Sequence, residues 1–264
     1  MTPQNLILLP LSTPKLSIGC PILDGYLGGG IPCNFVTKLV GESGSGKIIQ
    51  LLISSIAQLA NLYHTSYPNL IGLEPLEDIY VHGIHDAQQL IHVLRDIQAF
   101  IVIDHTQLPM KLIVIDSIAA LFQSQYKTTL ADLKWRSKML FKIFGTLKAL
   151  ANKFGVVVVV TNQVVDFIGP HDGVNGVRLG NLECLHTSGR RVSPALGLAW
   201  AHCINSKMFL ARHEQSVGVN SHNAPLATIS SQTHRTFDLL FAPHLPHASA
   251  EFVIRKERVV GVSW

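Results

Sequence analysis

Five consecutive valines, Val156–Val160, run straight into Thr161-Asn162-Gln163, and no other stretch constrains the chain as much. A β-branched run without alternation can bury both of its faces only in a sheet covered on both sides, which is where a parallel strand lies between helices. Phe35–Val40 (FVTKLV) and Lys111–Asp116 (KLIVID) have the same character. Between these runs apolar residues recur every three or four positions, the spacing of a helix with one buried face. Ile49, Leu52, Ile56, Leu59 and Tyr63 form one such stripe. Leu133, Leu140, Phe144, Leu147 and Ala151 form another, with Lys134, Lys138, Lys142 and Lys148 interleaved on a face read as solvated. A short strand at Ile79–His82 and a helix from about Asp86 to Gln98 complete the alternation. The expected fold is α/β, a mostly parallel central sheet flanked by helices and joined by right-handed crossovers.

The 264 residues are 47% hydrophobic and 14% charged, which favours one large domain with a sizeable core over disorder. A formal charge of +4 is compatible with nucleic-acid contact without arguing for it. Cys20, Cys33, Cys184 and Cys203 lie far apart with no C-x-x-C pair, so they are expected to be free thiols in a reducing compartment. The apolar run Leu6–Leu11 has no basic residue before it and is interrupted by proline, unlike a signal peptide. No stretch reaches the ~20 apolar residues of a membrane helix. A soluble intracellular protein with no membrane partner is expected.

After Gln163 the texture changes. Residues 164–195 carry Gly169, Gly173, Gly176, Gly180 and Gly189 with little periodicity, the character of a long functional loop. Strand-like segments return at Leu198–Cys203, Lys207–Ala211, Phe237–Phe241 and Phe252–Ile254, on the far side of the sheet. Residues 213–233 are polar and rich in turn formers, which reads as a surface excursion.

Three pieces carry chemistry. The first is Gly41-Glu42-Ser43-Gly44-Ser45-Gly46-Lys47, which follows a buried strand and precedes a helical stripe. Glycines in that context let successive backbone N–H groups face one anion, and the lysine supplies a point charge for phosphate. A glycine-rich strand-to-helix turn with a chance lysine would look the same in isolation. The pattern next needs Ser or Thr, whose hydroxyl binds magnesium, and Ile48 stands there instead. The second piece is Asp116, ending an apolar strand where a carboxylate can stand on the magnesium side. Strand-end aspartates also serve as helix caps. The third is Thr161-Asn162-Gln163, polar groups at the carboxyl end of a central strand, where open α/β sheets bind ligands; a strand-end turn is the plainer reading. His82, His85 and His92 have no carboxylate or cysteine completing a ligand set at motif spacing and are read as surface and core residues.

In order and wording these pieces resemble the RecA-like recombinase family, and within it the eukaryotic paralogue branch. Leu16–Lys47 (LSIGCPILDGYLGGGIPCNFVTKLVGESGSGK) resembles the start of that family's ATPase core. Leu112–Phe122 (LIVIDSIAALF) resembles its magnesium-side strand, and Leu147–Val164 (LKALANKFGVVVVVTNQV) the helix and strand leading to its sensor glutamine. Ser188–Arg212 (SGRRVSPALGLAWAHCINSKMFLAR) resembles the stretch after its DNA-binding loop. The resemblance implies a RecA-like P-loop ATPase core over residues 16–264, preceded by an extended segment, residues 1–15. It implies ATP held by Gly41, Glu42, Ser43, Gly44, Ser45, Gly46, Lys47 and Ile48, Mg2+ beside Asp116, and Gln163 coupling nucleotide to DNA. Arg178, Arg190 and Arg191 become candidate contacts to single-stranded or branched DNA. Asp166, Asp172 and Glu183 balance them, so strong independent DNA binding does not follow. A role in homologous recombination and double-strand break repair, other recombinase paralogues as partners, and a nuclear location are further implications.

The chain departs from the family pattern in three places. Ile48 removes the magnesium-ligating hydroxyl, and Lys38 stands where relatives often carry an acid. Between Lys47 and Asp116 only one strand candidate fits, and no acidic residue ends it, because Glu74, Glu77 and Asp78 all precede it. One β–α unit, whose strand carries the water-polarising glutamate, is therefore expected to be missing, leaving the fold to close over a lost central strand. ATP hydrolysis is expected to be weak or absent, and a partner-binding scaffold without productive ATP binding is the alternative.

Overall fold

The computed structural model describes residues 13–45, 79–103, 110–123, 129–167, 185–196, 203–217, 230–254 and 259–262. The expected helix over Ile49–Tyr63, most of the strand-like segment Leu198–Cys203, and Arg178 lie outside these residues, as do Gly46, Lys47 and Ile48. Cys203 itself is not in a strand.

The valine run becomes strand β5 (Val157–Asn162), an interior strand of a seven-stranded sheet, second from one edge. It lies parallel to β3 (Val36–Gly41) on one side and to β4 (Leu112–Ile115) on the other. Its lack of alternation has a direct cause. Val158 and Val160 pack into one core with Val36, Ile113, Ile115 and two helices. Val157 and Val159 pack on the opposite face with Leu39, Met208, Leu210, Phe237 and Phe252. Both faces are dry, so both sets of positions must be apolar.

On the first face lie α2 (Ala87–Ile103) and α4 (Leu130–Phe154), with the short helix α3 (Ala120–Gln123) between them in sequence. The start of α2 is fixed by a reciprocal cap: Gln89 N–H donates to Asp86 Oδ1 at 2.7 Å, and His85 N–H donates to Gln89 Oε1 at 2.8 Å. Thr129 caps α4 by accepting from Asp132 N–H, and the helix stops at Gly155, whose φ of 66° is easiest for glycine. Met139, Leu140, Ile143, Phe144, Leu147, Leu150 and Ala151 make the buried face, while Lys134, Lys138 and Lys142 face solvent as expected. Leu133 is exposed, six residues before Met139, the first buried position of the helix.

The other half of the sheet is antiparallel. β9 (Ser206–Val217) runs parallel to β3 and is followed outward by β10 (Ser230–Phe241), β11 (Ala248–Ile254) and β12 (Val259–Val262). The expected strands at Lys207–Ala211, Phe237–Phe241 and Phe252–Ile254 are all present and longer than their alternating cores. The helix α1 (Pro21–Tyr26) covers this outer face, with Gly261 N–H donating to Cys20 Sγ at 3.2 Å. Before and after α1, β1 (Lys15–Leu16) and β2 (Ile31–Pro32) pair antiparallel. Cys20, Cys33 and Cys203, the cysteines among the described residues, are free.

Three expectations need correction. Ile79–His82 forms no strand: Tyr80 and Val81 are 66% and 89% exposed, and among the described residues no strand lies beside this four-residue run to form a ladder with it. The sheet does not close over a central gap. Among the described residues β3, β5 and β4 are hydrogen-bonded neighbours, and β4, with Val114 at 38% exposure, is the last strand on that side. Residues 164–195 are not one loop, because β6 (Val164–Asp166), β7 (Leu185–Thr187) and β8 (Arg190–Pro194) form a three-stranded antiparallel sheet in the order β6-β8-β7.

Candidate phosphate-loop site

The carboxyl ends of β3, β5 and β4 come together because the strands are parallel and nearly in step: Val40 pairs with Asn162, and Ile115 with Val160. This brings Gly41–Ser45, Thr161–Gln163 and Asp116 to one edge of the sheet, as the sequence pattern required. Gly41 is pressed against its surroundings. A Cβ there would lie 2.6 Å from Ser45 Oγ and 2.9 Å from the Leu210 carbonyl oxygen, so no larger residue fits. Gly44 has φ of +79°, and buried Ser45 folds back, its hydroxyl donating to the Glu42 carbonyl at 2.8 Å.

Thr161 Oγ1 donates to Asp116 Oδ1 at 2.5 Å, tying the ends of β5 and β4. Beside this pair, Ser117 Oγ and both polar atoms of the Asn162 side chain are buried without a hydrogen-bond partner among the described residues. Buried polar atoms of this kind are costly and call for an explanation, commonly a ligand or water. Gln163 is exposed next to them. A glycine cradle beside unpartnered polar atoms fits a phosphate-bearing ligand. The donor set for magnesium is less complete, because Asp116 is present while Ile48 has no oxygen to offer. Among the described residues no cluster of His, Cys, Asp and Glu could hold a metal by itself.

The sequence pattern makes Glu42 a member of the loop, and its environment is the feature the motif does not give. Thr187 Oγ1 donates to Glu42 Oε1 at 2.8 Å, Ser188 Oγ donates to the same oxygen, and Arg190 pairs with Oε2 at 2.9 Å. All three come from the β7–β8 hairpin. Burial alone would raise the Glu42 pKa, but the hydrogen bonds from Ser188, Thr187 and Arg190 outweigh it and hold the carboxyl below its usual value. Arg190 also reaches Asp166 on β6 at 2.9 Å. Arg191 lies over the Phe167 ring, 5.5 Å from its centroid. Both arginines of the resemblance that the structure describes are thus exposed, and one is already engaged by two carboxylates.

Lys38, in the middle of β3, is 2% exposed. Burial, and then the neighbouring charge of Lys207 in register on β9, depress its pKa to about 7. An acid at this position would have met Lys207 as a partner; the lysine meets it as a like charge.

Comparison with known proteins places this chain in a lineage. Residues 69–176 match the Rad51 family profile. The chain is 38% identical over 296 aligned positions to the DNA repair protein XRCC3 homolog of Arabidopsis thaliana, covering 98% of this chain and 97% of that protein. The chain belongs to the Rad51 family. It is a RecA-like recombinase paralogue, and its α/β sheet is the RecA-like core that the resemblance implied. The DNA repair protein XRCC3 of Mus musculus is 27% identical, covering 96% of this chain and 77% of that protein. The DNA repair and recombination protein RadA of Metallosphaera sedula is 30% identical over 69% of this chain and 62% of its own length. The Arabidopsis alignment spans more positions than the 264 residues of this chain, so that relative has residues with no counterpart here. Among the described residues no helix is long and apolar enough to cross a membrane.

Proposed function

We propose that this Rad51-family paralogue acts in homologous recombination and double-strand break repair, in the nucleus, as a nucleotide-binding member of a complex with other recombinase paralogues. The observation that carries the nucleotide reading is the convergence of Gly41–Ser45, Asp116 and Asn162 at one sheet edge, with buried polar atoms that have no described partner. In this reading Gly41–Lys47 hold the phosphates of ATP, Asp116 stands toward magnesium, and Gln163 connects the site to the β6–β8 sheet. Bound ATP would supply a phosphoanhydride whose cleavage requires held phosphates, a placed metal ion and a positioned water. The loop backbone and Lys47 meet the first requirement. Ile48 weakens the second. The third lacks a provider, because β4 has no further strand beside it among the described residues and Ile79–His82 ends in no acid.

The core comprises residues 16–264, with residues 1–15 as an extended linker toward a partner. Single-stranded or branched DNA meets Arg178 and Arg191, while a DNA phosphate at Arg190 would compete with Glu42 and Asp166. The missing hydroxyl at position 48 favours a second reading, a scaffold that binds paralogues without productive ATP binding. Equilibrium binding of a fluorescent ADP analogue to purified protein separates the two. Binding that needs Lys47 supports the first, and no binding at any attainable concentration supports the scaffold.

A further inference from the structure

Arg190 is engaged by two carboxylates contributed from different elements. One is Glu42, 148 residues away in sequence and the second residue of the phosphate loop; the other is Asp166 on β6. The Glu42 side chain is only 11% exposed, and Arg190 approaches it from the solvent side at 52%. Thr187 and Ser188 both donate to the other oxygen of the same carboxylate. Both residues also lie near the Arg212 carbonyl, and Arg212 N–H donates back to Thr187 Oγ1 at 2.9 Å, so the hairpin is anchored to β9 while it grips the loop. The β8 strand in turn pairs with β6, which begins directly after Gln163.

We infer that Arg190 is a positioning residue for the phosphate loop, acting through Glu42 with Thr187 and Ser188, and does not serve primarily as a DNA contact. The inference rests on reading Gly41–Lys47 as a phosphate-binding loop. A glycine-rich loop has many conformations, and its N–H groups converge on one anion only if the backbone is fixed beforehand. The carboxylate of Glu42 is the handle by which the hairpin fixes it. Three donors on one carboxylate, one of them charged, give a hold that is directional as well as electrostatic. The same arrangement ties the state of the loop to β6 and β8, so a displacement of Arg190 would loosen the cradle.

Amide hydrogen exchange of the ligand-free full chain tests this without relying on nucleotide. Arg190→Ala and Glu42→Gln should each raise exchange over residues 41–45 by about three- to tenfold, the scale of losing one partly exposed charge-assisted contact. Exchange over β5 should stay unchanged, and Arg191→Ala should leave the loop as it is. Combining Arg190→Ala with Glu42→Gln should add little to Arg190→Ala alone, because the Arg190–Glu42 contact that holds the loop can be lost only once. Unchanged exchange over residues 41–45 in Arg190→Ala would overturn the inference, and so would additive effects in the double variant. A parallel titration with a fluorescent ADP analogue reads the nucleotide-binding proposal separately. If the unmodified chain does not bind the probe, that proposal fails while the exchange result still decides the clamp.

Discussion

Thr161 donates a 2.5 Å hydrogen bond to Asp116, joining the ends of two parallel strands across 45 residues of chain. Thr161 is fully buried and Asp116 is exposed, so the hydroxyl orients the carboxylate from inside the sheet. Thr161→Val keeps the volume and removes the donor. The expected cost is about 1 kcal/mol in urea unfolding, the net value of one such bond. An unchanged midpoint would show that solvent replaces the threonine.

Lys38 gives a pH-dependent prediction whose sign can be worked out. Its folded pKa is about 7 and its ordinary value is 10.5. Between those values the unfolded chain holds the proton and the folded chain does not, so stability rises with pH across that window. Below pH 7 the folded protein carries a buried charge, and the full penalty applies. Lys38→Met should therefore stabilise the protein at pH 6, by an amount on the order of a few kcal/mol, and much less near pH 10. Denaturant unfolding at the two pH values checks it, and equal gains at both would contradict the account. Glu42 works in the other direction. Its carboxyl lies below the ordinary value of 4.5, so its contribution is present above that pH and is lost as pH falls through its folded value.

Nucleotide binding should be weak and nearly indifferent to magnesium, because the hydroxyl that would hold the ion is replaced by Ile48. Losing a hydrogen bond to a charged group corresponds to roughly ten- to a hundredfold in affinity. Ile48→Thr should recover part of that factor, and only with magnesium present. Calorimetric titration of ATP with and without the metal measures it. Tight, magnesium-dependent binding by the unmodified chain would refute the prediction.

Partner association should outlast ATP chemistry. Pro3, Pro10 and Pro14 suit a stiff extended segment before the core. Removing residues 1–15 should weaken co-purification with recombinase paralogues, while Lys47→Ala should not. Equal recovery of the truncated and full chains would remove the linker from the account.

Much of this fold was legible in residue order, for a physical reason. Val156–Val160 could be read because a strand buried on both faces leaves no choice of residue type, and α4 because its buried positions keep helical spacing for four turns. The β6–β8–β7 sheet was missed because its strands are three to five residues long and mix valine and leucine with aspartate, histidine, serine and arginine, so their pairing depends on a neighbour rather than on apolar pattern. Ile79–His82 misled in the opposite sense, since a short apolar run says nothing about whether a partner strand exists. At the site, Gly41, Gly44, Asp116 and Gln163 followed from motif chemistry. The grip of Thr187, Ser188 and Arg190 on Glu42 did not, because contacts that distant leave no spacing signal; the run Ser188-Gly189-Arg190-Arg191 was the only hint.

The central claim is that this recombinase paralogue keeps a phosphate loop but does not turn over ATP. Single-turnover release of phosphate, with and without single-stranded DNA, tests it most directly, with Lys47→Ala alongside. The account predicts release no faster than that of Lys47→Ala under either condition, since a held phosphate without a positioned water gains no rate. A DNA-stimulated rate that Lys47→Ala abolishes would contradict it and would require another acid, Glu42 or Glu77, to position the water.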